Sequence, residues 1–202
     1  MVTTSTGSTG APIACLQPDL RLFTVADLDA LPEQLPSGPV YYELHYGRLI
    51  TMSPLGARHG NIQVSIGGEL YEQGQKKGHG TAYTEVALIL ARNPDHVLVP
   101  DAAFLCNGSL PERLSKEGYL ENVPELVVEV RSKNDTGPEL AAKVGDYLKA
   151  GVKLAWTVDP ATPSVTEHRP GAAAKEYGIN DSLMCEDIIP GFRLALAELF
   201  RT

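Results

Sequence analysis

The chain is 202 residues long, with 43% hydrophobic and 21% charged residues, which suits one globular domain with a substantial core and excludes two full ones. A formal charge of -8 excludes a protein that coats nucleic acid through a general excess of Lys and Arg, while leaving room for a local basic strip or a bound cation to meet phosphates. Cys15, Cys106 and Cys185 are too far apart for a disulfide framework or a Cys-x-x-Cys zinc site, and predict a reducing, cytoplasmic setting.

Residues 1–20, rich in Thr, Ser, Gly and Pro, read as a flexible N-terminal tail before a single domain over 21–202. They lack the basic start and apolar run of a secretory signal, and no later run approaches the ~18 apolar residues of a membrane span, so a soluble protein is expected. Thr24 caps a short helix ended by Pro32. Tyr41 to His45 and Arg48 to Met52, joined at Tyr46-Gly47, predict a β-hairpin closed by Ser53-Pro54. From 57 to 77, Ile62, Ile66, Leu70 and Tyr71 recur at helical spacing, with Val64 less well aligned and Gly67-Gly68 weakening the pattern. Strands are expected at 82–90, 97–105 and 126–130, then a helix over 138–150 stopped by Gly151, a strand at 154–158, and shorter strands at 164–168, 175–179 and 191–196. The sum is an α/β fold, a mixed sheet with helices packed on it.

Two acids interrupt the most apolar of these strands: Asp101 after Pro100, and Glu129 in Leu126-Val127-Val128-Glu129-Val130. A carboxylate inside a buried strand costs several kcal/mol unless a cation or donors meet it. Two on neighbouring strands form half a cage for a hard divalent cation such as Mg²⁺. Each acid taken singly could instead cap a turn, pair with Arg or end a strand in water. Lys143 borders the stripe of Leu140, Val144 and Tyr147, so its ammonium can reach back toward the sheet. Glu85 reads as facing water rather than as a third acid, Trp156 as core, and His45, His79, His96 and His168 show no metal-binding pair.

The ordered series Tyr42-Glu43-Leu44 with Gly47, Met52-Ser53-Pro54 before His59, Pro100-Asp101, Leu126 to Ser132 with Asp135, Lys143, Tyr147, Ala150-Gly151-Val152, Trp156 and Val158-Asp159-Pro160 resembles the Uma2 family, bacterial proteins assigned as endonucleases. The resemblance implies the restriction-endonuclease-like fold of the PD-(D/E)xK superfamily, a central mixed β-sheet flanked by α-helices, with a Mg²⁺ site (Mn²⁺ as the alternative ion). It implies Asp101 and Glu129 as metal ligands, with the Val130 carbonyl as a further ligand. In that pattern the catalytic lysine lies two residues after the second acid, where this chain has Arg131. Arg holds its proton too firmly to activate water and serves better as an electrostatic clamp. The lysine role is therefore assigned to Lys143, arriving from the following helix. Glu43 and His59 match family positions beside the metals.

The resulting expectation is a Mg²⁺-dependent DNA endonuclease, with a homodimer by analogy and no membrane partner. An alternative of a different class is a binding or assembly module that keeps the nuclease scaffold without turnover, favoured by the acidic charge and by Arg131. A third is a hydrolase of another phosphate ester, using the same residues.

Overall fold

In the computed structural model, residues 21–36, 38–52 and 55–201 are described; the expected tail and the Ser53-Pro54 closure lie outside them. Thr24 accepts from the Asp27 amide while the Asp27 side chain accepts from the Thr24 amide, a reciprocal cap that starts α1 (Val25–Asp29). A two-rung ladder follows, β1 (Gln34–Leu35) with β2 (Gly38–Pro39). The expected hairpin forms as β3 (Tyr41–His45) and β4 (Arg48–Met52), turning where Tyr46 and Gly47 take φ of 54° and 78°.

Next, α2 (Ala57–Glu69) runs past Gly67-Gly68 into a π-helical turn over Leu70–Gln75. Gly67 lets the helix close on the sheet, since a Cβ there would lie 2.9 Å from the Thr84 side chain. Leu70 and Gly74 take the buried places in the π turn and Tyr71 is exposed, which corrects its expected position on the apolar stripe.

Two expected strands each prove to be two. Residues 82–90 divide into β5 (Gly80–Thr84) and β6 (Leu88–Ala91), parted by a corner at which Glu85 adopts φ 49°. Residues 97–105 divide into β7 (His96–Leu98) and β8 (Ala102–Cys106), parted at 99–101, where Pro100 has no amide to give a ladder. Because β5 pairs with β8 and β6 with β7, this long hairpin leaves one sheet and enters another at the two breaks.

After β9 (Leu126–Val130), α3 (Gly137–Ala150) starts on a reciprocal Thr136–Glu139 cap and stops at Gly151, whose φ is 114°. β10 (Leu154–Asp159), β11 (Ser164–His168) and β12 (Lys175–Tyr177) follow. The expected strand at 191–196 is corrected. Only β14 (Leu194–Ala195) pairs, with β13 (Ser182–Leu183), and α4 (Leu196–Leu199) begins at once, its buried Leu196, Leu199 and Phe200 recurring at helical spacing.

The larger sheet runs β12-β11-β10-β9-β8-β5, parallel between β9 and β10 and antiparallel elsewhere; a second sheet runs β4-β3-β7-β6. Strand alternation divides the core. Leu126, Val128, Val130, Phe104 and Trp156 face the layer that includes Ile62 and Ile66 of α2 and Leu70 of the π turn, whereas Val127, Ala103, Leu105 and Ala155 face Val144 and Tyr147 of α3. Glu129 shares the parity of Val127 and so faces α3. A third cluster packs Val25 and Leu28 of α1 on Leu44, Ile89 and Val97 of the second sheet. Among the described residues no helix is long and apolar enough to cross a membrane.

Gly80 opens β5 where an added Cβ would overlap the Leu105 carbonyl oxygen and the Phe104 ring, which cannot both move aside in a paired strand. Gly80→Ala is expected to destabilise the fold by roughly 2–3 kcal/mol in urea titration, the cost of overpacking a close-packed core.

Candidate functional site

The two breaks in the long hairpin and the C-terminal end of β9 meet at a cleft of about 680 Å³, lined by residues of β3, β4, α2, β9 and α3. Asp101 stands at the second break, beside Glu129 on the neighbouring strand. Its Oδ2 accepts from the Val130 amide at 2.6 Å, which holds the carboxylate at the sheet edge and leaves Oδ1 turned toward His59 Nε2 at 3.4 Å.

Glu129 is 7% exposed and would be intolerable there without donors. α3 supplies them. Lys143 Nζ lies 3.1 Å from both carboxylate oxygens, and the Tyr147 hydroxyl donates to Oε1 at 2.7 Å. The two side chains are four residues apart, one helical turn, and so reach the same group. Lys143 also lies 3.0 Å from Glu43 Oε1 and bridges the two sheets. Glu43, 2% exposed, further accepts from the Val99 amide at 2.9 Å and contacts His45 Nε2 at 3.0 Å through Oε2.

Burial pushes the Glu129 carboxyl up to about 7; the Lys143 charge opposes this, while Asp101 and Glu43 add to it. Burial alone would depress the Lys143 ammonium, yet Glu129 and Glu43 outweigh it and hold its pKa above the ordinary value. Lys143 is therefore a fixed cation and Glu129 the titrating member of the pair. Glu43 is driven the other way: burial favours its neutral form, but the donors His45, Lys143 and the Val99 amide together lower its pKa.

His59 is buried rather than solvated, a departure from the usual setting of a helix-start histidine. Burial disfavours its charge, but Asp101 and the Val130 carbonyl more than compensate and raise its pKa; its Nδ1 has no hydrogen-bond partner among the described residues. Arg131 lines the cleft and pairs with Asp159 at 2.9 Å, rather than with either acid. Glu85 also lines the cleft, where Gln63 donates to it at 3.1 Å and to the Asp101 carbonyl at 3.2 Å.

Two members of the cluster escape the sequence reading of the site. Tyr147 counts there as a stripe residue, although a phenol among aliphatics four residues after Lys143 signals a polar tip in want of a partner. Gln63 lies one turn beyond His59 on the sheet-facing side of α2, and a polar residue beside Ile62 and Ile66 is the corresponding signal.

The Uma2 family model, described as "Putative restriction endonuclease", matches residues 26–197. The chain belongs to the Uma2 family. Its fold agrees with a crystal structure described as "a putative nuclease belonging to DUF820", from Anabaena variabilis, at a TM-score of 0.72 and 18% identity, over 88% of this chain and 97% of that one. No curated protein matches. The architecture is thus the restriction-endonuclease-like α/β fold that the resemblance implies.

The donor set suits a divalent cation. Three buried acids meet in the cleft: Glu43 and Glu129 share the Lys143 ammonium, and Asp101 faces His59, while Asp101 and Glu43 both raise the Glu129 pKa. Among the described residues no three His, Cys, Asp or Glu side chains already form a metal cage. Mg²⁺ needs none, since one or two carboxylates with waters and substrate oxygens suffice.

The sign of the pH dependence follows from Glu129. Between its ordinary value of 4.5 and about 7, the folded protein retains a proton that the unfolded chain has released, so stability falls as pH rises through that window. In metal-free protein, Glu129→Gln is expected to melt roughly 10 °C above the parent at pH 8 and within about 3 °C of it at pH 5, by calorimetry.

Proposed function

We propose that this Uma2 protein is a divalent-cation-dependent DNA endonuclease that hydrolyses phosphodiester bonds in the cleft between its two sheets. The observation that carries the proposal is the juxtaposition of Asp101 and Glu129 on adjacent strands with the Lys143 ammonium 3.1 Å from Glu129. Membership of a nuclease family supports the reaction class. The three buried acids support the cation, because a phosphate would be repelled from them without it.

Mg²⁺, with Mn²⁺ as its substitute, would be held by Asp101, Glu129 and the Val130 carbonyl, supplying Lewis-acid polarisation and an activated water. The remaining chemistry belongs to the chain. Lys143 keeps Glu129 oriented and offers a fixed positive charge to the phosphorane as it develops. Tyr147 donates to Glu129 and fixes which oxygen faces the cleft. Glu43 is a positioning residue, anchoring Lys143 from the second sheet. His59, against Asp101, is placed to exchange a proton at the cleft wall. Arg131, held by Asp159, contributes a clamp for phosphate rather than a base. A homodimer belongs to the proposal by analogy with other nucleases of this fold. Among the described residues Cys106 and Cys185 form no disulfide, in keeping with the proposed cytoplasmic setting.

Purified protein is expected to nick supercoiled plasmid with Mg²⁺ or Mn²⁺ but not with EDTA. Asp101→Ala and Glu129→Ala should abolish nicking, and Lys143→Met should slow it by about 10²-fold, the usual effect of losing one charge-stabilising donor. Equal metal-dependent nicking by the parent and both acid variants would reject the site. Millimolar Mg²⁺ should also raise the parent's melting temperature by linkage and leave Glu129→Ala unmoved. A parent that neither nicks nor gains stability fits the silent scaffold.

A further inference from the structure

The cleft holds more than its acids. The register of the β3–β4 hairpin sets Tyr41 opposite Met52 and Glu43 opposite Ile50, so these four side chains share one face of the strand pair, and that face lines the cleft. Tyr42, Leu44 and Leu49 take the other face and pack toward α1. Tyr41 and Ile50 are 52% and 42% exposed, and Leu55, beyond the hairpin, is 43% exposed. An apolar wall of this kind binds neither a cation nor a phosphate.

Two cations in the lining of the same cleft have the complementary chemistry. Arg58 at the start of α2 and Lys133 after β9 make no ion pair among the described residues. The rim acids are engaged locally: Asp135 accepts from the Ser132 amide, Glu139 from Thr136, and Glu85 from Gln63. These acids keep their charge, but among the described residues none of them pairs with Arg58 or Lys133, so both cations are open to phosphates in a chain of net charge -8.

We propose that the cleft binds an unstacked nucleotide, and that the substrate class is single-stranded or locally unpaired DNA in preference to intact duplex. This inference rests on the nuclease reading of the same cleft. Its volume of about 680 Å³ falls in the class of pockets that enclose one small ligand, and its acids lie at the floor, only 2–9% exposed. To bring a phosphate to that floor the strand must enter the cleft, which a paired and stacked base hinders. An unpaired base can lie with its face on Tyr41 and its edge against Ile50 and Leu55, while Arg58 and Lys133 hold the flanking phosphates.

The test is equilibrium binding by fluorescence anisotropy, with a fluorescein-labelled DNA oligonucleotide offered as a single strand, as a duplex with a central unpaired bulge, and as a perfect duplex. The full chain is used with Ca²⁺ in place of Mg²⁺, so that binding is read apart from cleavage. The single strand and the bulge are expected to bind about tenfold or more tighter than the duplex, with Tyr41→Ala removing most of that difference and Tyr41→Trp preserving it, as aromatic stacking requires. Ile50→Ala is a second half-exposed position and should narrow the ratio in the same direction. Equal or tighter binding of the duplex, a ratio unchanged in Tyr41→Ala, or no binding of any form would overturn the inference. Plasmid nicking separates the two readings. Nicking without the single-strand preference leaves the nuclease and removes this subsite, whereas the preference without nicking leaves a strand-binding cleft and removes the nuclease.

Discussion

A buried carboxylate on the central strand β9 sets the terms for the rest of the structure. Glu129 faces α3 because it shares the parity of Val127, and an ionised group there would cost several kcal/mol if left alone. Lys143 and Tyr147 meet it from consecutive turns, and that requirement fixes how the helix lies on the sheet. Rotating α3 by one residue would present Ala142 and Asp146 to Glu129, setting carboxylate against carboxylate. In the observed register Asp146 points elsewhere, to His96 Nε2 at 3.1 Å and to the Tyr46 hydroxyl at 2.9 Å. One helix is thus fastened to both sheets by polar contacts of opposite demand, and an apolar stripe alone would not select that register.

The same group joins stability to chemistry. Glu43 and Glu129 share one ammonium, and burial, with Asp101 and Glu43 adding to it, pushes the Glu129 carboxyl up. Stable cores with this much buried charge are usually neutralised by further donors. Arg131 does not help, being held by Asp159, and His59 reaches only Asp101 and the Val130 carbonyl.

Much of this was legible in the sequence because local rules and global demands agree. The hairpin at 41–52, β9, and α3 with its terminal Gly151 are strongly periodic and well punctuated, and the structure places them within a residue of expectation. Asp101 and Glu129 stood out as charges in apolar strands, a signal that needs no tertiary knowledge. The divided strands were hidden because apolar alternation continues across each bend, and Pro100 marks only the second of them. Glu85 takes a left-handed backbone without being glycine, so composition gave no warning of that corner. Tyr147 and Gln63 were obscured for another reason: each sits in a helical stripe whose apolar neighbours explain its burial, and only the facing strand reveals what its polar end serves. Near the C terminus, the short α4 mimicked a strand because too few residues separate it from β14 to establish a period.

The bends also divide mechanical responsibility. Asp101 and Glu129 flank one another in a single sheet, where the ladder between β8 and β9 and the Val130 amide hold their spacing like rungs. Glu43 rides on the other sheet and is tied to the pair through the Lys143 ammonium and, at the break before Asp101, through the Val99 amide. A small tilt of the second sheet about the seam would draw Glu43 away and loosen the lysine, yet leave the two strand-borne acids at their separation. The architecture therefore insulates the distance between the two acids from whatever strains the hairpin while leaving the orientation of the charge that serves them adjustable.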